Sequence, residues 1–580
     1  GKTVSVLYPA VRAMGDGACE KIFSLTPKGT TADAAESALD DMAGRGVRIR
    51  AVRITAKEKI CDRHAVCRES RGACDRQKTN RLADAALSLW KSEDVTVGKE
   101  GLLRAAAAYG VCPYELSLSY AELCDVVICD FNYLFDPAVY IKRFFDGGGR
   151  YAFLVDEAHN LPDRVRDMYS AEITDSDLVD GTFDYGEHAP MTAAMRKAKD
   201  DFCKYMFAYL KDDLRKDEDG TTVGAAHGRS VPEKLFSVFA ELCRTAEEEL
   251  FRAFSDKTEE KEAHLRAARA YFYRLKRFTD ILGIFDGKYE WFLFYRDGQI
   301  RLKLYCVDPS EHIERRLGYG RSAVLFSATL TPLSYYADLF GLGRTASVLS
   351  VESPFDPERL SVTVMDKIST RYSERERTMP AVLRAIAAAV GVRRGHYMVF
   401  TPSFAYNAAL GEAFRRRYPK LRVNIQTPDM SQAERKSFIQ AFSEDDPSYL
   451  VAFCVMGGVY SEGIDLCGEK LIGAVIVGVG MPGLSFEREA LRAYYDEKTE
   501  EGEQYAYLYP GFNKVLQAAG RVIRREEDRG VLVLIDDRLG DPVYRKSIPK
   551  QWHHLKYAGD AKSLRMLTEK FWNGEKERGN

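Results

Sequence analysis

The chain has 580 residues, 46% of them hydrophobic and 29% charged, with a formal net charge of −2. Such a length predicts several domains, and the near-neutral balance excludes a surface that attracts polyanions everywhere, so any nucleic-acid groove must be a local concentration of Lys and Arg. Twelve cysteines in so long a chain are too sparse for a disulfide scaffold and suggest a reducing compartment with a metal or cluster among them. The most apolar stretch, Leu471 to Leu484, is broken by glycines and Pro482 and is too short to span a bilayer. No signal peptide is visible.

From residue 1 to about 55, short β-rich runs such as Lys21-Ile-Phe-Ser-Leu25 alternate with helical stretches. An insert rich in Cys and Arg follows, from 56 to 113. The β texture returns over 114–170, with Val126-Val-Ile-Cys129 and Tyr151-Ala-Phe-Leu-Val155, continuous apolar runs of the kind buried parallel strands need. From 171 to 287 the chain is charged and predicted helical. Met191 to Leu214 and Pro232 to Leu282 carry apolar residues three and four apart, and Gly220, Gly224 and Gly228 mark a loop between them. Strand-like sequence reappears at Glu290 to Val307 and Ala323 to Phe326, within 288–335. A second α/β stretch, 336–580, has predicted strands at Tyr397 to Phe400, Tyr449 to Phe453, Gly473 to Gly478 and Gly530 to Ile535.

Chemistry-bearing motifs sit at the ends of these runs. Asp156-Glu157-Ala158-His159 follows the apolar run ending at Val155. A buried strand ending in adjacent carboxylates is how nucleoside triphosphatases present a metal-binding acid and a water-activating acid. Gly1-Lys2-Thr3 has the form of the last three residues of the loop G-x-x-x-x-G-K-[ST]. The sequence opens inside that loop, so the 580 residues alone are expected to hydrolyse little ATP. Thr26-Pro-Lys28-Gly-Thr30-Thr31 offers hydroxyls, N–H groups and a cation suited to a phosphodiester backbone. Ser327-Ala-Thr329 follows the strand ending at Phe326, Gly457 to Asp465 follows another strand, and Gln517, Gly520, Arg521 and Arg524 fall on one face of a predicted helix. Two guanidiniums projecting together can neutralise charge on a transferring phosphoryl group. Any one of these motifs alone reads equally well as a helix cap or a solvated basic face.

Cys61, Cys67, Cys74 and Cys112 lie in the 56–113 insert. Four thiolates can hold an iron–sulfur cluster, and their wide spacing suits structural zinc poorly. On the residues alone, cluster, zinc and unliganded cysteines all stay open. Arg63, Arg68, Arg71, Arg76, Lys78 and Arg81 make the insert basic, either as a solvated face or as a phosphate-tracking edge. Cys124 and Cys129 read as small core residues, and the other six cysteines take the same default.

The motifs Gly1 to Thr3, Thr26 to Thr31, Asp156 to His159, Ser327 to Thr329, Gly457 to Asp465 and Gln517 to Arg524 stand in an order that resembles superfamily 2 helicases. Asp130-Phe-Asn-Tyr-Leu-Phe-Asp-Pro137, Ser353-Pro-Phe355 and Tyr509-Pro510 resemble the XPD/DinG branch, bacterial DinG-like helicases most. The resemblance covers nearly the whole chain, least well over 171–287 and beyond about 560. It implies an α/β fold of two RecA-like motor domains, the first built from 1–55, 114–170 and 288–335 and the second from 336–580. A [4Fe–4S] insert would occupy 56–113, held by Cys61, Cys67, Cys74 and Cys112, and an α-helical arch 171–287.

The resemblance further implies that ATP and Mg²⁺ bind between the cores. Gly1, Lys2, Thr3, Asp156, Gly463 and Asp465 would hold nucleotide, and Thr3 and Asp156 the Mg²⁺. Glu157 would activate water, and Gln517, Arg521 and Arg524 would complete the site from the second core. His159 and Ser327 to Thr329 would couple the sites. Thr26, Lys28, Thr30, Thr401 and Ser403 would contact a nucleic-acid backbone. The implied activity is 5′–3′ translocation on single-stranded DNA and unwinding of forked or 5′-tailed duplexes, by a monomer in the bacterial cytoplasm, at the nucleoid when engaged, alongside repair or replication proteins. A DEAH-type RNA helicase and an ATPase-containing scaffold are the competing expectations.

Overall fold

The computed structural model describes residues 2–27, 29–61, 80–179, 189–255, 260–343, 346–443, 449–461 and 466–574. The chain forms two compact units, Gly1–Ala328 with Ala337–Thr345, and Thr329–Tyr336 with Ala346–Asn580. Among the described residues no helix is long and apolar enough to cross a membrane.

The first unit is organised by a parallel sheet of β1 (Lys21–Thr26), β2 (Ala51–Arg53), β3 (Thr96–Val97), β4 (Val126–Asp130) and β5 (Tyr151–Asp156). The chain then makes β6 (Ala171–Thr174), β7 (Arg215–Lys216), β8 (Thr222–Gly228), β9 (Tyr289–Arg296) and β10 (Gln299–Cys306) before returning to the parallel sheet as β11 (Ser322–Phe326). The parallel sheet has the order β11-β5-β1-β4-β2-β3. Every residue of β1 is buried, which explains a continuous rather than alternating apolar run. Phe23, at its centre, meets the rings of Phe144, Phe145, Tyr151 and Phe153 at centroid distances of 5.4, 5.0, 5.3 and 5.9 Å.

Lys21 opens this buried strand and is itself only 9% exposed. Its ammonium donates to the carbonyls of Ala121 (2.9 Å), Glu122 (3.3 Å) and Cys124, at the end of the helix Pro113–Leu123. Last-turn carbonyls carry the negative end of the helix dipole and have no partners within the helix. Burial lowers the Lys21 pKa, and Cys124, Asp125 and Glu122 oppose that shift. Lys21→Met removes the shared donor and leaves these carbonyls buried, so we expect a loss of about 2–3 kcal/mol. Urea unfolding would detect it as a lower midpoint at unchanged slope; an unaltered midpoint would show that water replaces the ammonium without cost.

The region read from sequence as purely helical carries more than helices. Pro190–Leu210, Glu233–Ser255 and Glu260–Gly283 are long helices, as the periodicity predicts. They accompany an antiparallel sheet of order β6-β10-β9-β8-β7. Gly224 and Gly228, expected in a loop, lie in β8. A Cβ on Gly228 would come within 2.7 Å of the Trp291 ring, so the glycine admits that indole against the sheet. β9 and β10 belong to this inserted sheet, and between residues 288 and 328 only β11 returns to the motor sheet. The boundary expected at 287/288 is corrected accordingly, because the antiparallel ladder from Gln299↔Arg296 to Cys306↔Tyr289 binds these strands to each other.

The second unit contains β12 (Leu360–Met365), β13 (His396–Thr401), β14 (Arg422–Ile425), β15 (Leu450–Val455), β16 (Gly473–Val477), β17 (Gly530–Ile535) and β18 (Lys556–Tyr557). They form one parallel sheet, β14-β15-β13-β16-β17-β12-β18. One face packs residues such as Met398, Phe400, Ile476 and Leu534, the other Val399, Phe453, Val475 and Val533. At the carboxyl end of β17, Asp536 is fully buried. Arg538 grips both its oxygens, Nε and Nη2 each at 2.8 Å, and the Thr370 hydroxyl donates to it as well.

Candidate functional site

β5 brings Asp156 to the carboxyl edge of the first sheet, where parallel α/β folds place ligands. The chain turns sharply there: Glu157 adopts φ 47° and ψ 44°, a left-handed conformation costly for a residue with a side chain and concentrated at functional sites. The Glu157 N–H donates to Asp156 Oδ1 at 2.7 Å, fixing the two carboxylates relative to one another. Asp156 is 3% exposed.

Lys2 and Thr3 begin the helix Lys2–Gly15 and reach these acids. Lys2 Nζ lies 3.2 Å from Glu157 Oε1, and Thr3 Oγ1 lies 3.5 Å from Asp156 Oδ2. On the other side, β11 pairs with β5 in a register that sets Phe326 opposite Asp156. Ser327 is therefore carried next to Glu157, and its hydroxyl donates to Glu157 Oε2 at 3.1 Å. His159 Nδ1 is 2.7 Å from the Ser327 oxygen and 3.4 Å from Glu157 Oε2. Burial and the neighbouring Glu157 raise the Asp156 pKa, against Lys2 and its hydrogen bonds. Burial also pushes Glu157 upward, but Lys2, His159 and hydrogen bonds from Lys2 and Ser327 outweigh it, so the net shift is downward. Glu157 is thus held as an anion between a cation and a hydroxyl–imidazole pair. Such a carboxylate can orient water and take its proton, and the oxygens of Thr3 and Asp156 converge as a pair of hard ligands suited to Mg²⁺.

Other predicted residues fall elsewhere. Thr26 is 4% exposed and Thr401 fully buried. The Thr401 hydroxyl donates to Asn407 Oδ1 at 3.0 Å, and Ser403 caps the helix Phe404–Arg417, accepting from Tyr406 N. In this structure Thr26 and Thr401 stand at the carboxyl ends of β1 and β13, and Ser403 starts the following helix. The Thr30 backbone lies in the helix Gly29–Gly44. Gly1, Lys28, Gly463 and Asp465 lie outside the described residues.

The helix expected through Arg524 stops early. Tyr509–Ala519 ends at Gly520, so Gln517 is helical whereas Arg521 and Arg524 are not, and the shared helix face is corrected. Arg521 Nε donates to the Ser461 carbonyl at 3.0 Å. The following loop is shaped by Asp528, which sequence reasoning missed. This residue, 4% exposed, accepts backbone N–H groups from Arg524 (2.7 Å), Arg525 (2.8 Å) and Gly468 (2.9 Å). An acid three to four residues after clustered arginines is the local signal that could have found it.

Of the four candidate cluster ligands, Cys67 and Cys74 lie outside the described residues, as do Arg63, Arg68, Arg71, Arg76 and Lys78. Arg81 is exposed at the start of the helix Arg81–Trp90. Cys61 closes the short helix Lys57–Ile60, and Cys112 is the residue before Pro113–Leu123. Burial raises the Cys112 pKa, the backbone N–H groups of Glu115 and Tyr114 lower it, and Cys61 is near enough to raise it again. The net shift is upward; the backbone N–H groups at this helix N-terminus are nonetheless of the kind that would favour a thiolate ligand there. Among the described residues no group of three or more His, Cys, Asp or Glu side chains surrounds a metal position. Cys124 and Cys129 are core residues, with Cys19, Cys306, Cys454 and Cys467.

Two parallel α/β units, the first with Lys–Thr and Asp–Glu converging at a strand end, define the class as a helicase with two RecA-like domains. The DEAD_2 family model matches residues 47–178 and the Helicase C-terminal domain model residues 386–555. An "ATP-dependent DNA helicase chl1" of Aspergillus clavatus is 23% identical over 76% of this chain and 68% of its own length. A "Regulator of telomere elongation helicase 1 homolog" of Caenorhabditis elegans is 22% identical over 88% of this chain and 60% of its own. The chain thus spans about two thirds or less of these relatives. Among solved structures, "XPD_Helicase" superposes with a TM-score of 0.54 at 16% identity, covering 93% of this chain and 91% of that one. "Structure of S. tokodaii Xpd4" also gives 0.54, at 14% identity, covering 96% and 94%. The chain carries the DEAD_2 and Helicase C-terminal domain matches in that order, within a fold like that of the XPD structures.

Proposed function

We propose that this chain is the motor of an ATP-dependent 5′–3′ DNA helicase of bacterial DinG-like type. It would work as a monomer in the cytoplasm on single-stranded and forked or 5′-tailed duplex DNA, in repair or in clearing unusual DNA structures. The observation that carries the proposal is the convergence of Lys2, Thr3, Asp156, Glu157, His159 and Ser327 at one strand end. The DNA substrate is taken from the Aspergillus clavatus relative, an ATP-dependent DNA helicase.

In the proposed mechanism Lys2 releases Glu157 to meet the β- and γ-phosphates, and the freed carboxylate orients the attacking water. Mg²⁺, held by Thr3 and Asp156, would neutralise phosphate charge when bound. Ser327 and His159, bonded to Glu157 and to each other, sense whether the carboxylate is engaged. Of the residues Gln517, Arg521 and Arg524, the two guanidiniums would neutralise charge on the transferring phosphoryl group and the uncharged Gln517 would hydrogen-bond to it. Cys61 and Cys112, with Cys67 and Cys74, would hold a [4Fe–4S] cluster supplying rigidity to the insert.

The test is ATP-dependent strand separation of matched duplexes with a 5′ or a 3′ single-stranded tail, using anaerobically purified protein. Unwinding from the 5′ tail alone is expected. Cys112→Ser should lose bound iron and unwinding together while retaining nucleotide binding. Unwinding from the 3′ tail, or hydrolysis stimulated only by RNA, overturns the proposed polarity or substrate. Full iron content in Cys112→Ser removes that residue from the ligand set.

A further inference from the structure

The second unit's sheet ends in β14, which among the described residues pairs with no strand except β15. Gln426 N donates to the Phe453 carbonyl, so by the alternation of a strand the backbone groups of Val423 and Ile425 point the other way. That outer edge lies in a groove of about 670 Å³. Arg415, from the helix Phe404–Arg417, forms one wall. Met430 and Phe438, the latter on the helix Gln432–Gln440, form the other. The apolar floor is fixed by close packing: a Cβ on Gly411 would lie 2.8 Å from Ile425 Cδ1, and Phe438 stacks on Tyr460 at 4.5 Å.

An open strand edge in a groove of mixed polar and apolar walls is a template for another strand. The Val423 carbonyl already receives a substitute donor, since Arg415 Nη2 reaches it at 3.2 Å. The chain around it is strongly basic. Residues 415–422 read Arg-Arg-Arg-Tyr-Pro-Lys-Leu-Arg, five exposed cations; Arg415 pairs with Glu412 at 2.5 Å and Glu434 lines the groove, so cations still outnumber acids around this edge. A second copy of this edge would bring like charges together, which disfavours self-pairing.

We propose that the β14 edge docks an acidic, extended segment of a partner protein, which adds to the sheet as a strand. Its backbone takes over the Val423 carbonyl from Arg415, and its carboxylates seat on Arg415 and Arg422. Backbone pairing supplies affinity, and the alternate side chains that enter the channel beside Ile425 and Phe438 supply selectivity. The proposal does not rest on helicase activity.

The experiment titrates the 580-residue chain with a labelled, blocked decapeptide alternating Glu and Val, the same peptide with Lys in place of Glu, and a single-stranded oligothymidylate. Hydrogen exchange across residues 422–426 is followed in each case. The acidic peptide should bind and slow exchange at Val423 and Ile425, and the Lys peptide should bind at least tenfold more weakly. Val423→Pro removes an outward N–H that β15 does not use, and should weaken the acidic peptide at least tenfold. Arg422→Glu, which spares the backbone, should do the same. Unchanged thermal unfolding would show that both variants fold. No saturable binding of the acidic peptide up to about 1 mM overturns the proposal. So does oligothymidylate binding that depends on Arg422 but not on the Val423 N–H, which would assign the patch to nucleic acid.

Discussion

Glu157→Gln is expected to slow ATP hydrolysis by about 10²–10⁴-fold, the range for loss of a positioned general base. The amide keeps the volume and the left-handed turn at this position. It cannot take a proton from water, and it no longer offers Lys2 or His159 a charge to pair with at 3.2 and 3.4 Å. Nucleotide binding should survive, because Lys2 and Thr3 are untouched. Ser327→Ala is the matched control: it deletes one 3.1 Å hydrogen bond to the same carboxylate but leaves the base, so hydrolysis should stay within about tenfold. Single-turnover hydrolysis with a separate nucleotide-binding measurement resolves the two. A loss below tenfold for Glu157→Gln would assign the water to another group.

Arg538→Ala should cost the second unit about 3–5 kcal/mol, the range for breaking a buried ion pair by removing one partner. Asp536 has no exposure and Arg538 little, with side chains 0% and 18% exposed. The lost guanidinium leaves a buried carboxylate with the Thr370 hydroxyl and the Arg538 N–H at 2.9 Å as remaining donors. Replacing both partners, Asp536→Leu with Arg538→Met, should recover at least half of that loss, since no buried charge then remains. Denaturant unfolding of the single and double variants measures the difference. A double variant as unstable as Arg538→Ala would show that the cost lies in packing and not in charge.

By itself the sequence determined the elements whose patterns are local. The runs at Lys21, Val126 and Tyr151 are strands because their nearly continuous apolar residues can be buried on both faces of a parallel sheet. The paired acids at Asp156 and Glu157 were legible as a candidate triphosphatase site through the ordered set of motifs around them, each read from a strand end and the residues next to it. Tertiary structure alone decided three things. The β11–β5 register set Ser327 against Glu157 across 170 residues, and no local periodicity encodes a register between distant strands. The antiparallel sheet over residues 171–306 includes glycine-containing β8, whose stability comes from neighbours such as Trp291 and not from propensity. The helix carrying Gln517 ended at Gly520, although the spacing of Arg521 and Arg524 continued its face. Asp528 offers their loop backbone N–H groups a better partner than another helical turn would.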